Sequence, residues 1–237
     1  MNIIRTPFFL LLAFLCFTGP TYAHHLWVAE KDGVYTVMRG HMPDQGTPYA
    51  PECVKDIHAY NSEGVQIAVD RIDGAEAVSF KTSEPPSAVT LTCDWGYRVL
   101  TTRGKKFMTR REAVKAGHTV IEAFFSTQFA KVLFDDSEAA LEASGLRLEL
   151  LPLTQPAKAS PGSNLRIKVL LDGKPLPDAA LLSDSNLEVR SDANGTAAVP
   201  IEGTGWRLLS LRHKIPVQND PDRDYHLLTT FLIFEVK

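Results

Sequence analysis

Two adjacent histidines, His24 and His25, follow directly on a stretch that reads as an export signal. Arg5 is the one charge ahead of Glu30, and an apolar run covers Phe8 to Phe17. Gly19-Pro20 breaks that run, and Thr21-Tyr22-Ala23 puts small residues where a signal peptidase reads. Cleavage after Ala23 makes His24 the first residue. Its free α-amine and the imidazole nitrogen nearest the backbone then close one chelate ring on a metal ion. The amine titrates near ~7.7–8, so a metal displaces its proton at neutral pH. His25 offers a second set, in which its imidazole, its own backbone nitrogen and the terminal amine form a three-nitrogen plane. Nickel(II) and copper(II) favour such tetragonal nitrogen sites.

The other histidines are His41, His58, His118, His213 and His226. Residues 26–29 and 34–38 read as a β-hairpin around Lys31-Asp32-Gly33, and its open end brings Gly40-His41 close to His24. His24, His25 and His41 are therefore the candidate metal ligands. Met42 reads as packing, and His58 as a half-buried strand residue. Whether His118, His213 or His226 joins the site is open. Cys53 and Cys93 are the cysteines left after cleavage, and an oxidising compartment favours a disulfide between them. A pair of soft metal ligands is the alternative, without the support of CxxC spacing.

No GxSxG, HExxH, P-loop or Rossmann fingerprint is present, and no enzyme is expected. Asp70 with Asp73, and Asp220 with Asp222 and Asp224, read as solvated turns, where Asp collects for its backbone hydrogen bonds.

These side chains need a scaffold, and the chain supplies strands. Short β-rich runs recur from Leu26 to Cys93, and turn clusters such as Asn61-Ser62-Glu63-Gly64 separate them. Thr109 to Ala116 reads as a short helix or loop, and Val120 to Leu133 as a strand followed by a turn. Asp135 to Ser144 is an acidic, helix-forming patch. From Gly145 onward about seven strands fit in roughly 90 residues, the count of an immunoglobulin-like sandwich. Trp206 reads as one of its core residues. The expected fold is all-β: two β-sandwich domains, the C-terminal one immunoglobulin-like, with a short helical patch between them. The expected boundaries are 1–23 for the signal, 24–145 for a metal-binding domain and 146–237 for the sandwich. A hydrophobic share of 44% excludes a disordered chain, and a net charge of −3 gives no reason to expect nucleic acid as a partner. The Phe8–Phe17 run is shorter than the ~20 residues of a spanning helix. The expected location is a periplasm.

One arrangement of residues resembles a known family. It comprises export followed at once by His24-His25-Leu26-Trp27-Val28, then Arg39-Gly40-His41-Met42-Pro43, Trp95-Gly96-Tyr97 and Thr101-Thr102-Arg103-Gly104. The aromatic stretch leading to Ala130-Lys131 follows, with Gly173-Lys174-Pro175-Leu176, Ser191-Asp192-Ala193-Asn194-Gly195, Gly205-Trp206 and Thr229 to Phe234. The chain is similar to the periplasmic component of cobalt/nickel transport systems, a nickel-uptake-associated family. The resemblance implies a β-sandwich, a part in divalent metal uptake with a membrane transporter as partner, and His24 and His41 as ligands. His25 departs from the acidic residue or Phe common there. Nickel or cobalt is the implied metal. The competing readings are a periplasmic copper protein with an N-terminal histidine chelate, and a structural or carbohydrate-binding sandwich module.

Overall fold

The structure, a computed structural model, describes residues 24–43 and 46–237. The expected signal, residues 1–23, lies outside the described residues. Strands hold 55% of the chain and helices 7%, so the fold is all-β and sandwich-like.

The chain enters as the hairpin that Lys31-Asp32-Gly33 announces. His25–Lys31 pairs antiparallel with Val34–Gly40, from His25 opposite Gly40 to Lys31 opposite Val34. Asp32 and Gly33 have φ of 53° and 74°. Two left-handed residues make the loop whose twist matches that of the flanking strands, and Asp-Gly adopts it at little cost. The hairpin joins Val78–Thr82 and Val69–Asp73 in a four-stranded outer sheet.

A nine-stranded central sheet carries the rest of the first half and much of the second. Its middle runs Gly205–Pro216, Tyr225–Val236, Val120–Leu133, Ala88–Thr101, Val54–Tyr60. Leu148–Pro152, Asn164–Leu171, Lys174–Pro175 and Thr196–Pro200 form a third sheet.

Val120–Leu133 and Tyr225–Val236 lie side by side and parallel, from Tyr225 opposite Phe124 to Ile233 opposite Val132. Both are covered on two faces. Ala130, Val132, Phe231 and Ile233 pack into a core with Leu26, Val37 and Phe80 of the outer sheet. Phe129, Leu133, Leu228 and Leu232 pack into a second core with Leu148, Ile167 and Val199 of the third sheet. The run Phe231-Leu-Ile-Phe234 lacks alternation for this reason, since a strand buried on both faces has no polar side. Gly145, where the composition shifts, lies in the connection ahead of Leu148–Pro152. The central sheet crosses that division through the parallel pair.

The helical patch expected before Gly145 is a single 3-10 turn, Glu138–Ala140. Its surroundings dictate this. Lys131, 1% exposed, donates from Nζ to the carbonyls of Ala140 at 3.3 Å and Glu142 at 2.5 Å, groups that a continuing helix would use itself. Lys131 also faces Glu149 at 3.9 Å, and Glu149 Oε1 accepts from the Ser144 N–H at 2.8 Å. The short helix expected after Thr109 is present as Arg110–Lys115, held by a Thr109–Glu112 capping box.

The expected disulfide is not formed, and Cys53 and Cys93 are free thiols. The register sets Val54, not Cys53, opposite Cys93, while Cys53 ends the 3-10 turn Pro51–Cys53. Burial raises the pKa of both thiols, which favours the protonated thiol in the metal-free chain. Trp206 also departs from expectation. It is 43% exposed and meets Phe134 edge to face instead of filling the core.

Candidate metal centre

The hairpin register builds the site. With His25 opposite Gly40, His24 and His41 stand one residue beyond the last pair, on facing strand ends. Their rings meet edge to face with centroids 5.2 Å apart and planes at 82°. His25 and His41 also meet, at 5.6 Å and 76°. His41 is exposed, and His24 and His25 are half-buried.

The central sheet pins this end of the hairpin. Gln128 Nε2 donates to the His24 carbonyl at 3.1 Å, and Trp95 Nε1 donates to Gln128 Oε1 at 2.8 Å. Both anchoring side chains are buried. Arg39 lies over the Trp95 ring at 4.7 Å, and Tyr49 meets that ring edge-on at 5.7 Å. Residue 24 is therefore held at its backbone while its ring stays available.

His24 Nδ1 is buried and has no hydrogen-bond partner. No other imidazole nitrogen among the described residues is left in that state. A buried, unsatisfied polar atom costs about 1–3 kcal/mol, so such an atom calls for a partner of another kind. Nδ1 is the nitrogen nearest the backbone, the one that closes a chelate ring with the α-amine of the same residue. His25 is arranged differently. Its Nδ1 accepts from the Met42 N–H at 3.1 Å, which places the proton of the neutral ring on Nε2. A ligating histidine donates through its second nitrogen, so this ring faces the wrong way to hold a metal. The three-nitrogen plane around His25 needs that Nδ1 lone pair, which Met42 takes.

Burial and neighbouring cations favour the neutral form of His24 and His25. Burial lowers the His24 pKa first, and Arg39, His41 and Lys105 add to it. Burial likewise lowers His25, followed by His41 and His24, with Asp184 pulling the other way. Metal ligation requires neutral imidazole, which this environment favours.

Among the described residues no group of three or more His, Cys, Asp or Glu side chains is arranged to hold a metal. The side chains at this point supply two imidazoles, His24 and His41. Cleavage after Ala23, were it to occur, would add the α-amine of residue 24 as a third nitrogen. Two imidazoles and an amine form a borderline-soft, all-nitrogen set that suits nickel, cobalt or copper.

The rings of His58 and His226 have partners elsewhere, while His118 and His213 are placed by their backbones in other parts of the fold. His58 Nδ1 is 3.2 Å from Gln66 Nε2, and the His118 N–H donates to the Ala113 carbonyl at 3.0 Å. His213 stands opposite Leu228. His226 Nε2 lies 2.8 Å from Thr127 Oγ1, and that hydroxyl donates to Asp94 at 2.5 Å, so Nε2 carries the proton.

Sequence reasoning missed Trp95, Gln128 and the basic side chains around His24. They come from separate strands, and no local spacing joins them.

Residues 21–215 match the family described as "Domain of unknown function (DUF4198)". The chain belongs to the DUF4198 family. No curated protein and no solved structure matches it. The DUF4198 match spans the hairpin, both anchoring residues and most of the central sheet. Its description names no activity and nothing in it links the chain to nickel or cobalt.

Proposed function

We propose that this DUF4198 protein is a periplasmic binder of a divalent transition metal, nickel or cobalt, which it captures and passes to a membrane transporter. The observation that carries the reading is the buried, unpartnered Nδ1 of His24 with the His41 ring 5.2 Å away. The chelate consists of the His24 amine and Nδ1, completed by His41. His25 holds the loop that presents His41 through the Met42 N–H. Lowered imidazole pKa values support it, because the proton competes less with the metal. By intrinsic affinity copper(II) outcompetes nickel and cobalt for such donors, so supply and the transport partner would set selectivity.

The test is metal titration of protein exported and cleaved before His24. Stoichiometric binding of nickel, cobalt or copper that is lost on blocking the amine supports the reading. Absence of binding by all three ends it.

A sugar-binding module is the second reading, and one feature favours it. Exposed Trp206 borders a cleft of about 770 Å³ lined also by Trp27, Tyr35 and Phe134. Aromatic rings beside an open cleft suit the apolar faces of sugar rings. Quenching of tryptophan fluorescence by oligosaccharides, with no metal bound, would move the assignment there.

A further inference from the structure

His24 forms one wall of a small recess, about 80 Å³, between the hairpin end and the central sheet. Four cationic side chains converge on it: Arg39 from the hairpin, Arg98, Lys105 and Arg212 from three strands of the central sheet. Among the described residues no carboxylate lines it. Among the described residues, none of the four has a carboxylate within ion-pair distance. Arg39 and Arg98 rest instead on rings and neutral oxygens. Arg39 covers Trp95 and donates to Thr47 Oγ1 at 3.2 Å. Arg98 lies over Phe107 at 4.3 Å and donates to the Tyr97 carbonyl at 2.9 Å. A guanidinium carries five N–H donors, so each has several to spare.

Gathering four like charges with no carboxylate among them costs free energy. Burial lowers Arg98 to about 10, and Arg39 adds to the shift. Burial lowers Lys105 as well, followed by Arg98, Arg212 and Arg39. An anion relieves all of these at once. The recess has room for one small anionic group, and Ser126 is among its lining residues. Forked guanidinium donors match carboxylate and oxyanion oxygens.

We propose that this recess binds a small anion of the carboxylate or oxyanion class, and that the anion binds cooperatively with the metal at His24 and His41. The first part stands without the metal, and the second rests on the metal reading above. A divalent ion at His24 adds positive charge beside four cations, and the anion offsets it. The coupling is reciprocal, so nickel tightens the anion by the factor by which the anion tightens nickel, on the order of 5–150-fold. A metal in the form of an anionic complex is the cargo this arrangement fits.

The experiment is calorimetric titration of the metal-free exported protein with inorganic phosphate and, separately, with malonate at low ionic strength. One saturable site for either anion, weakening as salt rises, is expected. The Arg98→Gln, Arg212→Gln double variant should weaken it about tenfold or more, as loss of two charge-assisted partners implies. Should that variant fail to fold, Lys105→Gln, at the exposed mouth, should weaken it severalfold. Nickel is then titrated with and without phosphate. Anion binding with none of nickel, cobalt or copper bound leaves the recess standing and sinks the metal reading. Nickel binding without anion binding in either state overturns the inference alone. Anion binding unchanged in folded variants also overturns it, because the site then lies elsewhere.

Discussion

His24 and His41 meet edge to face because one hairpin register places His25 opposite Gly40. A slip of that register by one residue would turn every side chain of one strand to the opposite face. The Asp32-Gly33 loop fixes the register at the far end, and Gln128 fixes it at the near end. The pairing of the two imidazoles is thus a consequence of the sheet and its turn.

Adding one residue ahead of His24 should cost most of the metal affinity. The extension converts the amine to an amide and removes it from the chelate ring with Nδ1. His41→Ala removes the second imidazole. Each change should weaken nickel or copper binding by at least about tenfold, a loss that altered outer-shell partners alone can produce. His58→Ala, in a strand with its Nδ1 beside Gln66, should leave binding unchanged. Titration of the three proteins side by side checks this. Equal affinity in the extended and native chains would refute the amine chelate.

Gln128→Ala should loosen the site without unfolding the sheet. Gln128 holds the His24 carbonyl and receives Trp95 Nε1, so truncation leaves two partners unsatisfied. The expected destabilisation is about 1–3 kcal/mol, read by denaturant titration. Metal affinity should fall in the same variant while its circular dichroism stays that of the parent. Unchanged stability and unchanged affinity together would show that the anchor is idle.

The hairpin, its turn and the meeting of His24 with His41 were legible because they are local. Alternation, an Asp-Gly loop and a short span carried the information. The parallel pairing of Val120–Leu133 with Tyr225–Val236 was not legible. It joins segments about a hundred residues apart, and a strand buried on both faces shows no period to read. The recess around His24 was hidden for the same reason, since Arg98, Lys105 and Arg212 become neighbours only through the central sheet and Arg39 joins them where the hairpin docks on it. Composition misled at residues 135–144, where helix formers met a buried Lys131 that claims the carbonyls.

Lys131→Met should be strongly destabilising. Its ammonium is the cation facing Glu149, whose side chain is also almost wholly buried. Removing one partner of a buried pair costs roughly 3–5 kcal/mol, because the other charge is left uncompensated. Adding Glu149→Leu to Lys131→Met should recover part of that loss. Chemical denaturation of the single and double variants checks both expectations. A single variant as stable as the parent would mean that the pair contributes nothing.

Stability should fall as pH drops below about 6.5. Burial lowers the pKa of His213 and of His226 in the folded chain, and Arg147 and Arg223 lower His226 further, against an opposing pull from Asp94. The unfolded chain returns these rings to the ordinary value of 6.5. Between the ordinary and the lowered values the unfolded state binds more protons, so stability rises with pH there. The contribution is whole above 6.5 and is lost as pH falls toward the lowered values of the fold. His226→Gln should flatten part of this dependence, since its ring donates to Thr127 and sits beside Arg147. Melting temperatures from pH 7.5 to 5, in low-salt buffer without metal, measure the slope. A melting temperature independent of pH over that range, or one rising as pH falls, would contradict the burial of neutral rings.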